Sequence, residues 1–215
     1  MPSIYQLKPA FQNLLRPWVQ RLFSLGITAN MVTLFAMLIS LAVAGFIYFY
    51  YQHHAPSLWL LIFPIWMLIR MAFNAVDGML AREFGQQSHL GAYYNELCDV
   101  ISDTALYSCL MCFGFIQPQL LLAVAFLANL SEYAGAMAPL IGQARRYDGP
   151  MGKSDRAFCF SVVVIIIMIF PYFSANETML SDIINTIFAI ISLLLCSTLY
   201  NRIKNSLADA HNLIK

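Results

Sequence analysis

Charge is scarce in this chain. Asp, Glu, Lys and Arg make up 11% of its 215 residues against 60% hydrophobic ones, and the mean hydropathy is +0.67. That balance excludes a soluble domain. No internal repeat or low-complexity linker interrupts the sequence, which reads as one domain over residues 1–215. No cleavable signal peptide is expected, because the first 25 residues hold prolines and arginines and no unbroken apolar run. Five cysteines, Cys98, Cys109, Cys112, Cys159 and Cys196, all fall in apolar segments. Cys109 and Cys112 have C-x-x-C spacing but no His or acidic company, so they read as packing residues rather than a metal or redox pair. His53, His54 and His89 likewise lack metal-ligand neighbours. With a net charge of +1, no nucleic-acid partner is expected.

What is abundant is apolar sequence in bilayer-length windows, which predicts an all-α integral membrane protein. Six spans are expected, at about 30–51, 58–83, from Ser88 to before Pro118, 118–142, 155–173 and 180–202. Pro64 predicts a kink in the second. Ahead of them, residues 3–25 align Leu7, Phe11, Leu14, Leu15, Trp18 and Leu22 on one stripe, with Lys8, Arg16 and Arg21 elsewhere. This predicts an amphipathic interfacial helix, broken near Pro17. The domain thus divides into an interfacial helix (1–27), a six-helix bundle (28–206) and a tail (207–215).

Basic residues set the orientation. Three lie in the N-terminal segment, Arg82 in the turn between the second and third spans, four between the fourth and fifth, and three near the C-terminus. The opposite loops have none, and only Arg70 is expected inside a span. The alternation predicts a multi-pass membrane protein with both termini and the turn after the second span in the cytoplasm.

One stretch breaks the apolar pattern. In residues 74–103, Asn74 and Asp77 are three apart, while Gly91, Asn95, Asp99 and Asp103 step by four, so each set forms one helical face. Ionisable groups at such depth cost about 2.5–3.5 kcal/mol each, so they mark a functional site. From the rise per residue, Asn74 lies roughly 12 Å inside the second span, and Asn95 and Asp99 roughly 10–16 Å inside the third. The two faces meet at one depth, in a polar cavity open to the cytoplasm. Gly78, Ala81 and Gly91 allow close approach of backbones or of a ligand. Clustered oxygen donors without sulfur or imidazole suit Mg²⁺ or Mn²⁺.

The same residues carry a resemblance. Asp77-Gly78-x-x-Ala81-Arg82, eight residues, then Gly91-x-x-x-Asn95-x-x-x-Asp99 resembles the CDP-alcohol phosphotransferase (phosphatidyltransferase) signature D-x-x-D-G-x-x-A-R-x8-G-x-x-x-D-x-x-x-D, with every gap matched. Asn74 and Asn95 stand where that signature has its first and third aspartates, as in a bacterial inner-membrane branch that the chain resembles. Thr28, Asn30 and Thr33 are similar to the family's T-P-N-x-x-T lead-in to the first span, although a helix cap alone explains them.

The resemblance implies a phospholipid-synthesis enzyme. It would transfer a phosphatidyl group from a CDP-alcohol, CDP-diacylglycerol above all, to a hydroxyl acceptor with release of CMP. It implies metal ligands at Asn74, Asp77, Asn95 and Asp99, with Asp77 and Asp99 catalytic and Asp99 a ligand or general base. It also implies nucleotide contacts from Thr28, Asn30, Gly78, Ala81, Arg82 and Gly91, and a homodimer. Two asparagines in place of aspartates leave one or two metals open. The acceptor stays open among glycerol 3-phosphate, an inositol phosphate and a serine-like amino alcohol. Arg145, Arg146, Lys153 and Arg156 are either topology signals or a site for a phosphorylated acceptor. Arg70 is expected to face the cavity and Glu132 the bundle interior. A CDP-lipid-binding member with little turnover and a small transporter are the competing readings. The D-G-x-x-A-R spacing speaks against the transporter.

Overall fold

The computed structural model describes the backbone of residues 4–214 and the side chains of residues 11–210. Seven α-helices follow in order: α1 (Ile4–Ser24), α2 (Ala29–Tyr51), α3 (Ile62–Glu83), α4 (His89–Ser108), α5 (Pro118–Met137), α6 (Lys153–Ile169) and α7 (Glu177–Ile214). No strand occurs among the described residues. Four of the starts have a clear local cause. Thr28 caps α2 by accepting from the Met31 N–H, and Ser88 caps α4 by accepting from the Gly91 N–H. Pro118 opens α5 at a position whose N–H has no intrahelical partner. At α6 the Asp155 carboxylate accepts from the Gly152 N–H at 2.9 Å.

Five segments are long and apolar enough to cross a membrane: Ala29–Tyr51, Leu58–Glu83, Pro118–Ile141, Lys153–Tyr172 and Glu177–Ala210. Large apolar side chains such as Phe35, Phe49, Leu68, Phe126, Phe158 and Leu193 point outward from them. α4 is long enough but carries the polar face of the central stretch, which lowers its hydropathy. The main core is built from α2–α7, around residues such as Ile47, Phe63, Leu106, Val124, Phe160 and Phe188. A smaller core joins α1 to α2 and α3 through Val19, Val32, Val76 and Leu80.

Several expectations shift. α1 runs unbroken through Pro17. Pro17 removes one helical hydrogen bond, but Val19 is fully buried and Arg16 pairs with Glu83 of α3 at 2.9 Å, which anchors the helix on both sides of the proline. Leu7 of the expected stripe, and Lys8 beside it, lie outside the described side chains. At Pro64 the second span changes character: a 3-10 turn at Leu58–Leu61 gives way to α3 at Ile62, which places the proline in a first turn that needs no N–H donor. The third span is shorter than expected, with α4 ending at Ser108 and a single tight turn following at Cys109–Cys112. α7 continues to Ile214, so most of the segment assigned to a tail is helical; Lys215 lies outside the described residues. Arg70 is not the sole cation within a span either: Arg156 and Arg202 are buried inside α6 and α7.

Candidate active site

The polar faces of α3 and α4 do not pack on one another as the short turn suggested. Each helix packs on α2, Arg70 of α3 reaches across to Asp99 and Asp103 of α4, and the two faces look onto two chambers. The first, about 400 Å³, is lined by Asn30 and Thr33 of α2, Asp77, Gly78, Ala81 and Arg82 of α3, the Gln86–Ser88 turn, and Gly91 and Asn95 of α4. The second, about 450 Å³, is lined by Asn74, Asn95 and Asp99 together with Glu132, Arg145, Tyr147, Lys153 and Arg202. Asn95 lines both, while Asp77 lines the first and Asn74 and Asp99 the second.

Asp77 is buried, and the Thr33 hydroxyl donates to its Oδ2 at 2.8 Å. Thr33 thereby orients a carboxylate whose burial would otherwise be costly. Close approach explains the small residues nearby. A Cβ on Gly91 would lie 2.8 Å from Asn30 Oδ1 and 3.0 Å from Ser88 Oγ, and one on Gly78 would lie 2.9 Å from Arg82 Nη2. The Arg82 guanidinium folds back over Gly78, at the chamber wall. The Gln86 side-chain oxygen Oε1 accepts from the Ala29 N–H at 2.7 Å, tying the α3–α4 turn to the start of α2. Thr28 itself does not line the chamber and serves as the helix cap.

Asp99 is held by two cations. Arg70 Nη2 donates to its Oδ1 and to its backbone carbonyl, both at 3.2 Å, and Lys153 pairs with the same Oδ1. Arg70 also binds the buried Asp103, which pairs in turn with Arg156 at 3.3 Å. Glu132 accepts from Arg145 at 3.2 Å and from Arg156 at 3.0 Å, and lies 3.4 Å from Arg202. Arg145 closes the network on Glu96. Buried charges this densely paired cost little while intact and several kcal/mol when one partner is removed.

The basic segment divides. Arg145 and Lys153 line the second chamber. Arg146 does not: it binds Asp209 and the Asn205 carbonyl on α7. Arg156 does not either: it is fully buried between Asp103 and Glu132. Their neighbours in sequence reach the cleft because helical and loop geometry point adjacent side chains apart. Arg202 was not singled out from the sequence, yet it lines the chamber and donates to the Asp148 and Ser131 carbonyls. Only the presence of a basic residue near the end of the last span signalled it.

The loop carrying Arg145 and Tyr147 is pinned from both sides. The Arg146 N–H donates to the Gly135 carbonyl, where a Cβ would lie 2.4 Å from the Arg146 carbonyl oxygen. Gly149 adopts φ +115 against Thr198, whose hydroxyl accepts from the Met151 N–H at 3.0 Å.

The donor types suit a hard divalent cation: Asp77 lines the first chamber, Asn74 and Asp99 the second and Asn95 both, with no thiolate or imidazole lining either. Among the described residues no group of three or more His, Cys, Asp or Glu forms a metal cluster, because amides occupy two of the four donor positions.

Comparison with known proteins follows this geometry. The family model described as CDP-alcohol phosphatidyltransferase matches residues 26–198. The chain is 40% identical over 205 residues to the inner membrane protein YnbA of Escherichia coli, covering 95% of this chain and 96% of that one. Crystal structures of the phosphatidylinositol phosphate synthase of Mycobacterium tuberculosis share the fold. The form in complex with manganese and citrate superposes with a TM-score of 0.69 at 21% identity, covering 88% of this chain and 87% of that one. The form with CDP-DAG bound gives 0.68 at 21% identity, covering 88% and 92%.

Proposed function

Because the chain belongs to the CDP-alcohol phosphatidyltransferase family, we propose that its junction of two chambers moves a phosphatidyl group from CDP-diacylglycerol to a hydroxyl acceptor and releases CMP. The observation that carries this reading is the placement of Asn95 on both chambers, between the D-G-x-x-A-R residues and the cationic wall. The cytidine diphosphate occupies the first chamber, against Gly78, Ala81, Arg82 and Gly91, with Asn30 alongside. The acceptor occupies the second, facing Arg145, Lys153 and Arg202. Their cationic side chains favour a phosphorylated acceptor.

In the reaction the acceptor hydroxyl oxygen attacks the lipid-bearing phosphorus, the phosphoanhydride bond breaks, and CMP leaves. Asp99 lies in the acceptor chamber and takes the hydroxyl proton. Asn74, Asp77, Asn95 and Asp99 would hold Mg²⁺ or Mn²⁺, which when bound neutralises the diphosphate and stabilises the leaving CMP. Thr33 keeps the Asp77 carboxylate turned to that junction.

The lipid reaches the site sideways. An apolar groove of about 370 Å³ between α3 and α6, lined by residues including Pro64, Met67, Leu68 and Phe158, ends at Met71 and Ser154. Both residues also line the acceptor chamber, so the groove can hold acyl chains while the headgroup lies in the cleft. α4 counts as the sixth membrane span, since its length matches its neighbours and its polar face is turned inward. α1 lies in the interface, its apolar side on α3. Both termini face the cytoplasm by the placement of basic residues, and the enzyme works as a homodimer by analogy with its family.

The test is CMP release by purified protein from CDP-diacylglycerol with a panel of acceptors, phosphorylated and unphosphorylated. Asp77→Ala and Asp99→Ala are expected to abolish release while the proteins still insert and fold. Near-full activity in either variant, with the best acceptor, refutes the site.

A further inference from the structure

Asp99 faces more positive charge than a metal ligand needs. On the reading above it both holds metal and takes a proton, yet its Oδ1 is contacted by Arg70 and by Lys153 together. The two cations differ in freedom. Arg70 is buried, fixed by Asp103 and by the Asp99 carbonyl, and has nowhere else to go. Lys153 is the first residue of α6, its side chain is 28% exposed, and its flexible stem lies along the wall of the acceptor chamber. One ammonium thus reaches both the motif carboxylate and the place where an acceptor would sit.

We infer that Lys153 is a built-in stand-in for the divalent cation: it covers Asp99 in the empty site, and surrenders it to bind the acceptor once donor and metal are in place. The inference rests on the reading of the junction as a metal site and adds the order in which that site fills. The asparagines make such a device workable. With carboxylates at positions 74 and 95, a divalent cation would outcompete a single ammonium easily. With amides there, Asp77 and Asp99 alone supply negative charge at the four motif positions, and one lysine is a serious competitor for Asp99. Apparent metal affinity is then reduced by the fraction of molecules in which Lys153 has left Asp99. A CDP donor brings its own negative charge to the junction, restores the balance, and shifts Lys153 towards the acceptor chamber. Metal and donor therefore bind before the acceptor, which finds its cation available only in the loaded enzyme.

The experiment is Mn²⁺ binding followed by electron paramagnetic resonance on the full-length protein, with no turnover required. Lys153→Gln is expected to bind Mn²⁺ roughly fivefold more tightly than wild type in the absence of donor. Lys153→Arg keeps the charge and should stay near wild type. Adding CDP-diacylglycerol should shrink the difference between Lys153→Gln and wild type, because the lysine has by then moved. In the CMP-release assay the same Lys153→Gln change should raise the acceptor KM, so one substitution tightens metal and weakens acceptor. Unchanged or weaker Mn²⁺ binding by a folded Lys153→Gln protein, while wild type binds Mn²⁺, overturns the inference and leaves the metal site standing. No Mn²⁺ binding by either protein, with or without donor, overturns the metal reading itself and this inference with it.

Discussion

Thr33→Val tests the site at the point where its geometry is most specific. The substitution exchanges a hydroxyl for a methyl group of nearly the same volume, in a residue that is 9% exposed on α2. It deletes one donor, 2.8 Å from Asp77 Oδ2, and the same hydroxyl's bond to the Ala29 carbonyl at 3.1 Å. The second loss is small because that carbonyl also belongs to a helix. The first removes a hydrogen bond to a charged group, worth about 1.5–3 kcal/mol. Part of that loss is recovered as the carboxylate turns to other donors or to water in the adjoining chamber. A residual of about 1.4 kcal/mol corresponds to a tenfold weaker site, at the low end of what outer-shell partners of metal ligands contribute. Mn²⁺ affinity and CMP release in Thr33→Val should each fall about tenfold. Thr33→Ser, which keeps the hydroxyl, should recover most of both. The thermal midpoint in detergent should move little in either variant. If Thr33→Val binds Mn²⁺ and turns over as wild type does, Asp77 is not oriented through α2, and the coupling between the helix 1 lead-in and the motif is wrong.

Asn74→Asp together with Asn95→Asp should tighten Mn²⁺ binding without donor by at least tenfold, since two negative charges are added at ligand distance; titrations with and without CDP-lipid check this, and identical affinities would remove both asparagines from the site. Arg156→Met should destabilise the fold by about 3–5 kcal/mol, because it strands Asp103 and Glu132 without one of their cations; a thermal midpoint within a degree of wild type would show that Arg70 and Arg202 suffice.

The spans and the polar faces of α3 and α4 were legible for one reason: each is written as a period or a spacing. Apolar runs mark α2, α3, α5, α6 and α7, and the three- and four-residue steps of Asn74, Asp77, Asn95 and Asp99 give two faces that line adjoining chambers. The eight residues between Arg82 and Gly91 hold the turn that joins the two helices. What the sequence withholds is partner choice. Arg145 and Arg146 are adjacent and chemically alike, but one lines the cleft and the other clamps α7. Arg156 stands three residues after Lys153, yet it is sealed beneath the chamber that Lys153 lines. Arg202 is far from the motif in sequence and close in space. Each of these outcomes depends on how the loop after α5 is folded, with Gly135 and Gly149 letting it lie against α5 and α7. No local period encodes such a contact.

The cross-helix pairing of Asp103 has a consequence for how the protein is made. α4 leaves the ribosome with Asp99 and Asp103 on a helix too polar to enter lipid cheaply, each carboxylate costing about 2.5–3.5 kcal/mol at the bilayer centre. Arg70, on the preceding helix α3, is available at once and contacts both. α3 and α4 thus suit insertion as a hairpin, the cation synthesised first and waiting for its anions. Arg156 and Arg202 arrive only with α6 and α7, so Glu132 of α5 first has Arg145 of the following loop as its partner and gains its two buried guanidinium partners later. The network around Glu132 is therefore complete only when the last helix has packed.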